Sequence, residues 1–340
     1  MVADTKRFAD GLISVRLQRQ IIVGLVRYGM FIAFGIWLVA MSFASEHFLT
    51  VNNILNVARQ AAPLMIIGVG MTFVMATAGI DLSVGSTVAL ISVLAGSWLQ
   101  LGVPVMLVLP VLMMVGAAVG TLSGYIVTLG VPAFVVTLAG LTSIRGLAFV
   151  YSDGYAAPIS DPVMIWIGRG ELFGVNAPVL IATIVAVIGW IVLRRTRFGL
   201  HTLATGGREE AARVMGLGIA RIKMTVYAIS GALAAVGGIV ISARLSSGSP
   251  NAGMMLELEV IAATVLGGTS LFGGRATIAG TIVGALLIYF VRNGLNLLAV
   301  NPYWVQVATG VILVVAVLMN TVLNKKVESW ARATPEENEQ

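Results

Sequence analysis

Of 340 residues, 58% are hydrophobic and 11% charged, which sets about 197 apolar side chains against 36 charged ones, whereas a soluble domain carries about 25% charged residues. That balance excludes a soluble globular domain, a disordered chain, a nucleic-acid binder and a secreted disulfide scaffold, and leaves an all-α polytopic membrane protein. The net charge of +6 is therefore informative through its distribution along the chain, and the lack of cysteine removes disulfides, thiolate nucleophiles and cysteine metal sites.

Residues 1–27 hold Lys6, Arg7, Arg16, Arg19 and Arg27 with no short apolar core leading to a small-residue cleavage site, so they predict a retained cytoplasmic tail. Charge-free runs then place the crossings, because a helix between lipid and other helices is apolar all round. The first runs from Tyr28 to Ser45 and the second from Gln60 to Ile80. Only Asp81 interrupts the charge-free stretch between Arg59 and Arg145, where Gly102-Val103-Pro104 and Gly130-Val131-Pro132 predict turns that divide residues 82–151 into three spans. Residues 152–177, with Asp153, Pro158, Asp161, Pro162, Arg169 and Glu171, cannot lie in hydrocarbon and predict an external loop, in which Asp161-Pro162 opens a short helix and Trp166 suits the interface.

Four more spans follow: Pro178–Leu193, Met224–Ala243, a short glycine-rich Val260–Phe272 that crosses or re-enters, and Ala276–Val291. With Pro302–Asn324 the expected total is about ten transmembrane helices within a domain of residues 28–324, followed by a cytoplasmic tail, 325–340. Both termini then share one side. Assigning it to the cytoplasm puts 16 of 21 basic residues there, including the seven of the loop 194–223, and leaves Arg59, Arg145, Arg169, Arg244 and Arg292 at the outer side. Trp37, Trp98, Trp190 and Trp304 near span ends fit interface anchoring. A faint internal echo pairs Gly79–Gly85 with Gly268–Gly274 through a shared G-x-x-L-x-x-G spacing.

Three places could carry function. Asp81 is an isolated acid at a span boundary, which caps the following helix beside Ser83, Gly85 and Ser86, touches substrate, or does both. The stretch Gly206–Gly216 reads as a two-turn helix with acids in its first turn, Ala211 and Met215 on one face and Ala212 beside them; either a partner or the chain's own bundle must hold so short a helix. Glu257 and Glu259, two residues apart, do not face each other on a helix and read as solvated helix-entry charges or as the mouth of a polar path. Catalysis finds no support: the two histidines, His47 and His201, stand far apart, and no lysine follows a glycine, so no phosphate-binding G-x-x-x-x-G-K-[S/T] exists. No catalytic, metal or cofactor set is expected.

Gly70-Met71-Thr72, Gly79-Ile80-Asp81-Leu82-Ser83-Val84-Gly85-Ser86, the Glu209-Ala211-Ala212-Gly216 pattern, Glu257-Leu258, Ala262 through Gly274 and Asn293-Gly294-Leu295-Asn296 follow one another in the chain. In that order they resemble the permease subunit of a ribose-type bacterial ABC sugar importer, over about residues 45–325. The resemblance implies a multi-pass subunit of the bacterial inner membrane, surrounded by lipid, that carries a monosaccharide or related polyol and works with three partners. These are a cytoplasmic ABC ATPase, a periplasmic sugar-binding protein and a second permease subunit, identical or closely related. It further implies coupling to the ATPase through Gly206, Glu209, Ala211, Ala212, Met215 and Gly216, with Glu209 satisfying first-turn amides. Asp81, Ser83, Ser86, Asn251, Glu257, Glu259, Thr269, Ser270 and Asn293 become path or gate residues, and Asp153, Tyr155, Asp161 and Arg244 binding-protein contacts. An ion-coupled secondary transporter is the competing class, disfavoured by charges that fall at span edges.

Overall fold

A computed structural model describes residues 32, 34–301, 303, 304, 307, 310, 311, 314 and 318. Both expected tails, the start of the first expected span and most of the last lie outside the described residues.

The described region is predominantly helical. Helix α1 (Phe34–Ala44) leads to α2 (Val51–Ala76), α3 (Val84–Gln100), α4 (Val105–Thr128), α5 (Ala133–Ser152), α6 (Pro162–Arg169), α7 (Ala177–Arg195), α8 (Arg197–Gly207), α9 (Glu209–Val214), α10 (Ile219–Leu245), α11 (Leu256–Leu266) and α12 (Ile278–Leu297). Among the described residues, six helices are long and apolar enough to cross a membrane: α2, α4, α5, α7, α10 and α12. Two-residue strands tie the loops: β1 (Ala157–Pro158) pairs antiparallel with β4 (Ser247–Gly248), and β2 (Glu171–Leu172) with β3 (Val175–Asn176). The expected turns stand, with Gly102 and Gly130 in the left-handed region at φ 77° and 97°.

Helix α10 is the axis of the bundle, packed on α2, α3 and α4. Backbones touch there because the contact residues are small: a side chain at Gly116 or Gly120 of α4 would collide with the carbonyls of Gly231 or Tyr227, and one at Gly70 of α2 would meet the Ser230 backbone at 2.8 Å. Without a hydrophobic drive between helices in lipid, such close van der Waals contact is what holds them together.

Two crossings are interrupted. After α2 the irregular segment 77–83 turns back into the bundle, so that a Cβ on Gly140, seven residues into α5, would lie 3.1 Å from Ser83. Helix α3 therefore starts inside the bundle and runs to Trp98, whose indole reaches Tyr151 at the far end of α5. The segment 246–255 descends along α3 in the opposite direction: Ser249 N–H donates to Ser92 Oγ at 2.9 Å, and Gly253 packs on Gly85 and Val88. There α11 begins, and it ends at Gly267 against Gly280 of α12. The expected helix over Val260–Phe272 is thus displaced: it starts at Leu256 and stops at the Gly267-Gly268 pair, with Gly268 at φ 85°, and an extended segment supplies the rest of the pass. Long helix, break and shorter helix recur in α2–α3 and α10–α11.

Candidate functional site

The first turns of α3 and α11 meet in the middle of the bundle and bring two carboxylates with them. Asp81, 1% exposed, lies in the break two residues before Ser83, the N-cap position of α3. Its Oδ1 accepts from Ser83 N–H at 3.0 Å and from Ser83 Oγ at 2.6 Å, and its Oδ2 accepts from Ser230 Oγ of α10 at 2.8 Å. The neighbouring carbonyl of Ile80 accepts from Tyr227 Oη and Thr137 Oγ1, each at 3.2 Å, and Ser86 Oγ donates to Ser83 O. Asp81 thus serves the entry of α3 and also fastens it to α10, so the broken backbone has partners where water is absent.

Glu257 belongs to the first turn of α11 but is 6% exposed, which corrects its reading as a solvated helix-entry charge. Its carboxylate lies over the bare Cα of Gly85 in the first turn of α3, where any side chain would collide with Oε2. Among the described residues, this Oε2 is buried without a hydrogen-bond partner, as is Thr87 Oγ1 elsewhere on α3. Arg145 of α5, expected at an outer helix end, is instead turned inward. Its guanidinium donates to the carbonyls of Pro250, Ala252 and Gly253 at 3.0, 2.8 and 3.2 Å, beside Glu257. The positive ends of two helices, a cation, two carboxylates and several hydroxyls so converge, an arrangement suited to hold polar or anionic groups within a bilayer.

The other expected path residues are dispersed. Glu259 pairs with Arg292, which stacks over Tyr289. Asn293 and Asn53 exchange amide hydrogen bonds of 2.8 and 2.9 Å that join α12 to α2. Thr269 and Ser270 are buried in the turn before α12, where they accept from the N–H groups of Thr277 and Phe272, and Asn251 is exposed.

At the end of the bundle where α2 stops, α9 is the only part of the expected Gly206–Gly216 helix that forms as such, because Gly206 and Gly207 close the preceding helix α8. Gly206 packs against the Ala76 carbonyl, with Gly274 N at 2.9 Å from an added Cβ. Glu209 does not cap the helix: its carboxylate takes Lys223 Nζ at 2.7 Å and Arg213 at 3.1 Å. Lys223 foremost, then Arg213, hold that carboxyl below the usual glutamate range against the opposing effect of partial burial. Ala212 faces inward and is fully buried, so it cannot be part of an outer surface. What remains outside is Ala211 with Val214 and Met215, 88% and 68% exposed, one face at i, i+3 and i+4. Gly216 turns the chain at φ 81°. At the opposite end, Asp153 and Tyr155 are exposed, whereas Asp161 Oδ1 caps α6 through Val163 and Met164 N–H and Arg244 donates to Gln60 O within the bundle.

Sequence reading missed Arg145, Thr87, Ser230 and Val214. The small-xxx-small spacing of Gly116, Gly120 and Gly124 was the available signal for the α4–α10 contact; nothing local marks the partners of Arg145 or Ser230.

A family profile described as branched-chain amino acid transport system / permease component matches residues 53–317. The ribose import permease protein RbsC of Haemophilus influenzae is 42% identical over 307 residues, 89% of this chain and 95% of the relative. RbsC of Bacillus subtilis is 40% identical over 86% of this chain and 92% of its own length. The L-arabinose transport system permease protein AraH of Escherichia coli is 33% identical over 86% and 90%. No solved structure matches the chain.

Proposed function

The chain belongs to the branched-chain amino acid transport system / permease component family, a transport component and not an enzyme, and we propose that it is the translocating subunit of a bacterial inner-membrane ABC importer for a monosaccharide or related polyol. It makes about ten crossings with both termini in the cytoplasm, pairs with a second permease subunit, receives its sugar from a periplasmic binding protein and takes its driving force from a separate ATPase. The observation that carries this reading is α9. A helix of six residues is marginal in water, yet it is pinned by Glu209–Lys223 and buried Ala212 while it exposes Ala211, Val214 and Met215. Rigidly held apolar side chains in a polar loop suit insertion into a cleft of a partner, here the ATPase.

In the transport step, closure of the ATPase pair would press on α9. Lys223 lies in the first turns of α10, so the push passes along α10 to Ser230 and hence to Asp81 and the meeting point of α3 and α11. Exposed Asp153 and Tyr155 receive the binding protein. Reconstitution with ATPase and binding protein tests the reading: Ala211→Arg is expected to abolish sugar-stimulated ATP hydrolysis and uptake while membrane insertion and binding-protein association persist, since a close contact tolerates little added volume. Full transport by the variant would refute it. Uptake driven by an ion gradient without any ATPase would instead favour an ion-coupled carrier that uses Asp81 and Glu257.

A further inference from the structure

One concavity among the described residues shares no residue with the polar centre. It is a groove of about 320 Å³ on the outer face of the bundle, between Ala182, Ala186 and Trp190 of α7, Ala279 and Ile282 of α12, and Met65 of α2. Its one hydroxyl, on Thr183, donates to Val179 O of its own helix at 2.8 Å, so that apart from the Trp190 indole the walls are apolar and ill suited to a sugar. On either side α7 is apolar and exposed, with Ile184, Val187 and Ile188 each at least half exposed. Such a face meets lipid.

Two further features give the occupant a head as well as a tail. From Ala182 to Trp190 the groove follows α7 for about 12 Å, close to the roughly 15 Å of hydrocarbon in one leaflet. Beyond Trp190 the helix ends in Arg194 and Arg195, both exposed. The Arg195 guanidinium sits 5.8 Å from the Trp190 ring centroid, which places a cation at the mouth of the groove, and among the described residues neither arginine has a carboxylate partner. We propose that this groove is a binding site for one anionic phospholipid, its acyl chain lying between α7 and α12 and its phosphate held by Arg195, with Arg194 beside it. Trp190 occupies the interface between the two, where its ring is apolar on one side and stacked on the cation on the other. The bound lipid completes the contact of α7 with α12 on the side that carries α8 and α9.

Native mass spectrometry of the purified full chain, loaded with phosphatidylglycerol or phosphatidylcholine and stripped with increasing detergent, reads the site directly. The chain is expected to retain one phosphatidylglycerol after other lipid is gone, in preference to phosphatidylcholine by about fivefold for each arginine near the phosphate. Arg195→Gln should remove much of that preference and Arg195→Lys restore it, whereas Ala186→Trp should abolish retention of both lipids. A photoreactive side chain at Val187 in the otherwise unaltered protein gives a readout independent of whether the filled groove still folds, and its adduct should carry the mass of a phospholipid. Equal retention of the two lipids by the unaltered chain would overturn the proposal, as would undiminished retention by a folded Ala186→Trp. A crosslink to residues 1–31 or to a second copy of the chain would overturn it too, because either would then be the occupant.

Discussion

The chain breaks twice inside the bundle, at 77–83 and at 246–255, and a carboxylate stands at the start of the shorter helix after each: Asp81 just before α3 and Glu257 in the first turn of α11. Asp81 receives three hydrogen bonds and joins α3 to α10. Glu257 lies against Gly85 with Oε2 unbonded among the described residues, beside a cation that is occupied by three carbonyls. One acid is a fastening and the other is available. A buried carboxylate persists at either place because helix N-termini and neighbouring dipoles replace water, but only the second retains capacity for a bond that forms and breaks during a transport cycle.

If that contrast holds, Asp81→Ala will be the most damaging change. It strands the Ser83 N–H and two serine hydroxyls in a dry interior, and a loss of about 3–5 kcal/mol is expected, read as a collapse of thermal stability in detergent. Glu257→Gln should cost under about 1 kcal/mol in the same assay, since Oε2 forfeits no hydrogen bond, while sugar uptake falls. Equal destabilisation by the two would erase the distinction.

Gly85 sharpens the comparison from the other side. Gly85→Ala should destabilise by about 1–3 kcal/mol through overpacking, because the new methyl meets the Glu257 carboxylate and stands 2.7 Å from Gly253 O. Combining it with Glu257→Ala should recover part of the loss, the carbonyl contact remaining. Strict additivity in this cycle would show that Glu257 does not rest on Gly85.

The smallest effect concerns a third carboxylate, outside the spans and fully paired. Glu209 has a depressed pKa, so its contribution to α9 is complete above the unfolded glutamate value of about 4.3 and is lost as pH falls through the lower folded value. A spin label at Ala211 should keep constant mobility from neutral pH down to the ordinary glutamate range and loosen only below it. Lys223→Met should move that loosening to higher pH, and an unchanged profile in the variant would dissociate α9 from Lys223.

Much of this molecule was written in local chemistry. Composition identified a helical membrane protein, Gly102 and Gly130 marked turns because left-handed backbone is open to glycine, and Asp161-Pro162 announced α6 through the cap and fixed φ that such a pair provides. That Ala211 and Met215 share one face of a short helix followed from spacing alone, whereas the direction of that face did not. Tertiary structure decided everything that depends on a distant partner: Arg145 turned inward because carbonyls more than 100 residues away lacked donors, Glu257 was buried because Gly85 left room for it, and Glu209 turned from its own helix to Lys223. Periodicity and charge runs describe a residue's neighbours along the chain, whereas the solvation of a charge in a bilayer depends on which backbone dipoles and side chains the fold brings within about 3 Å.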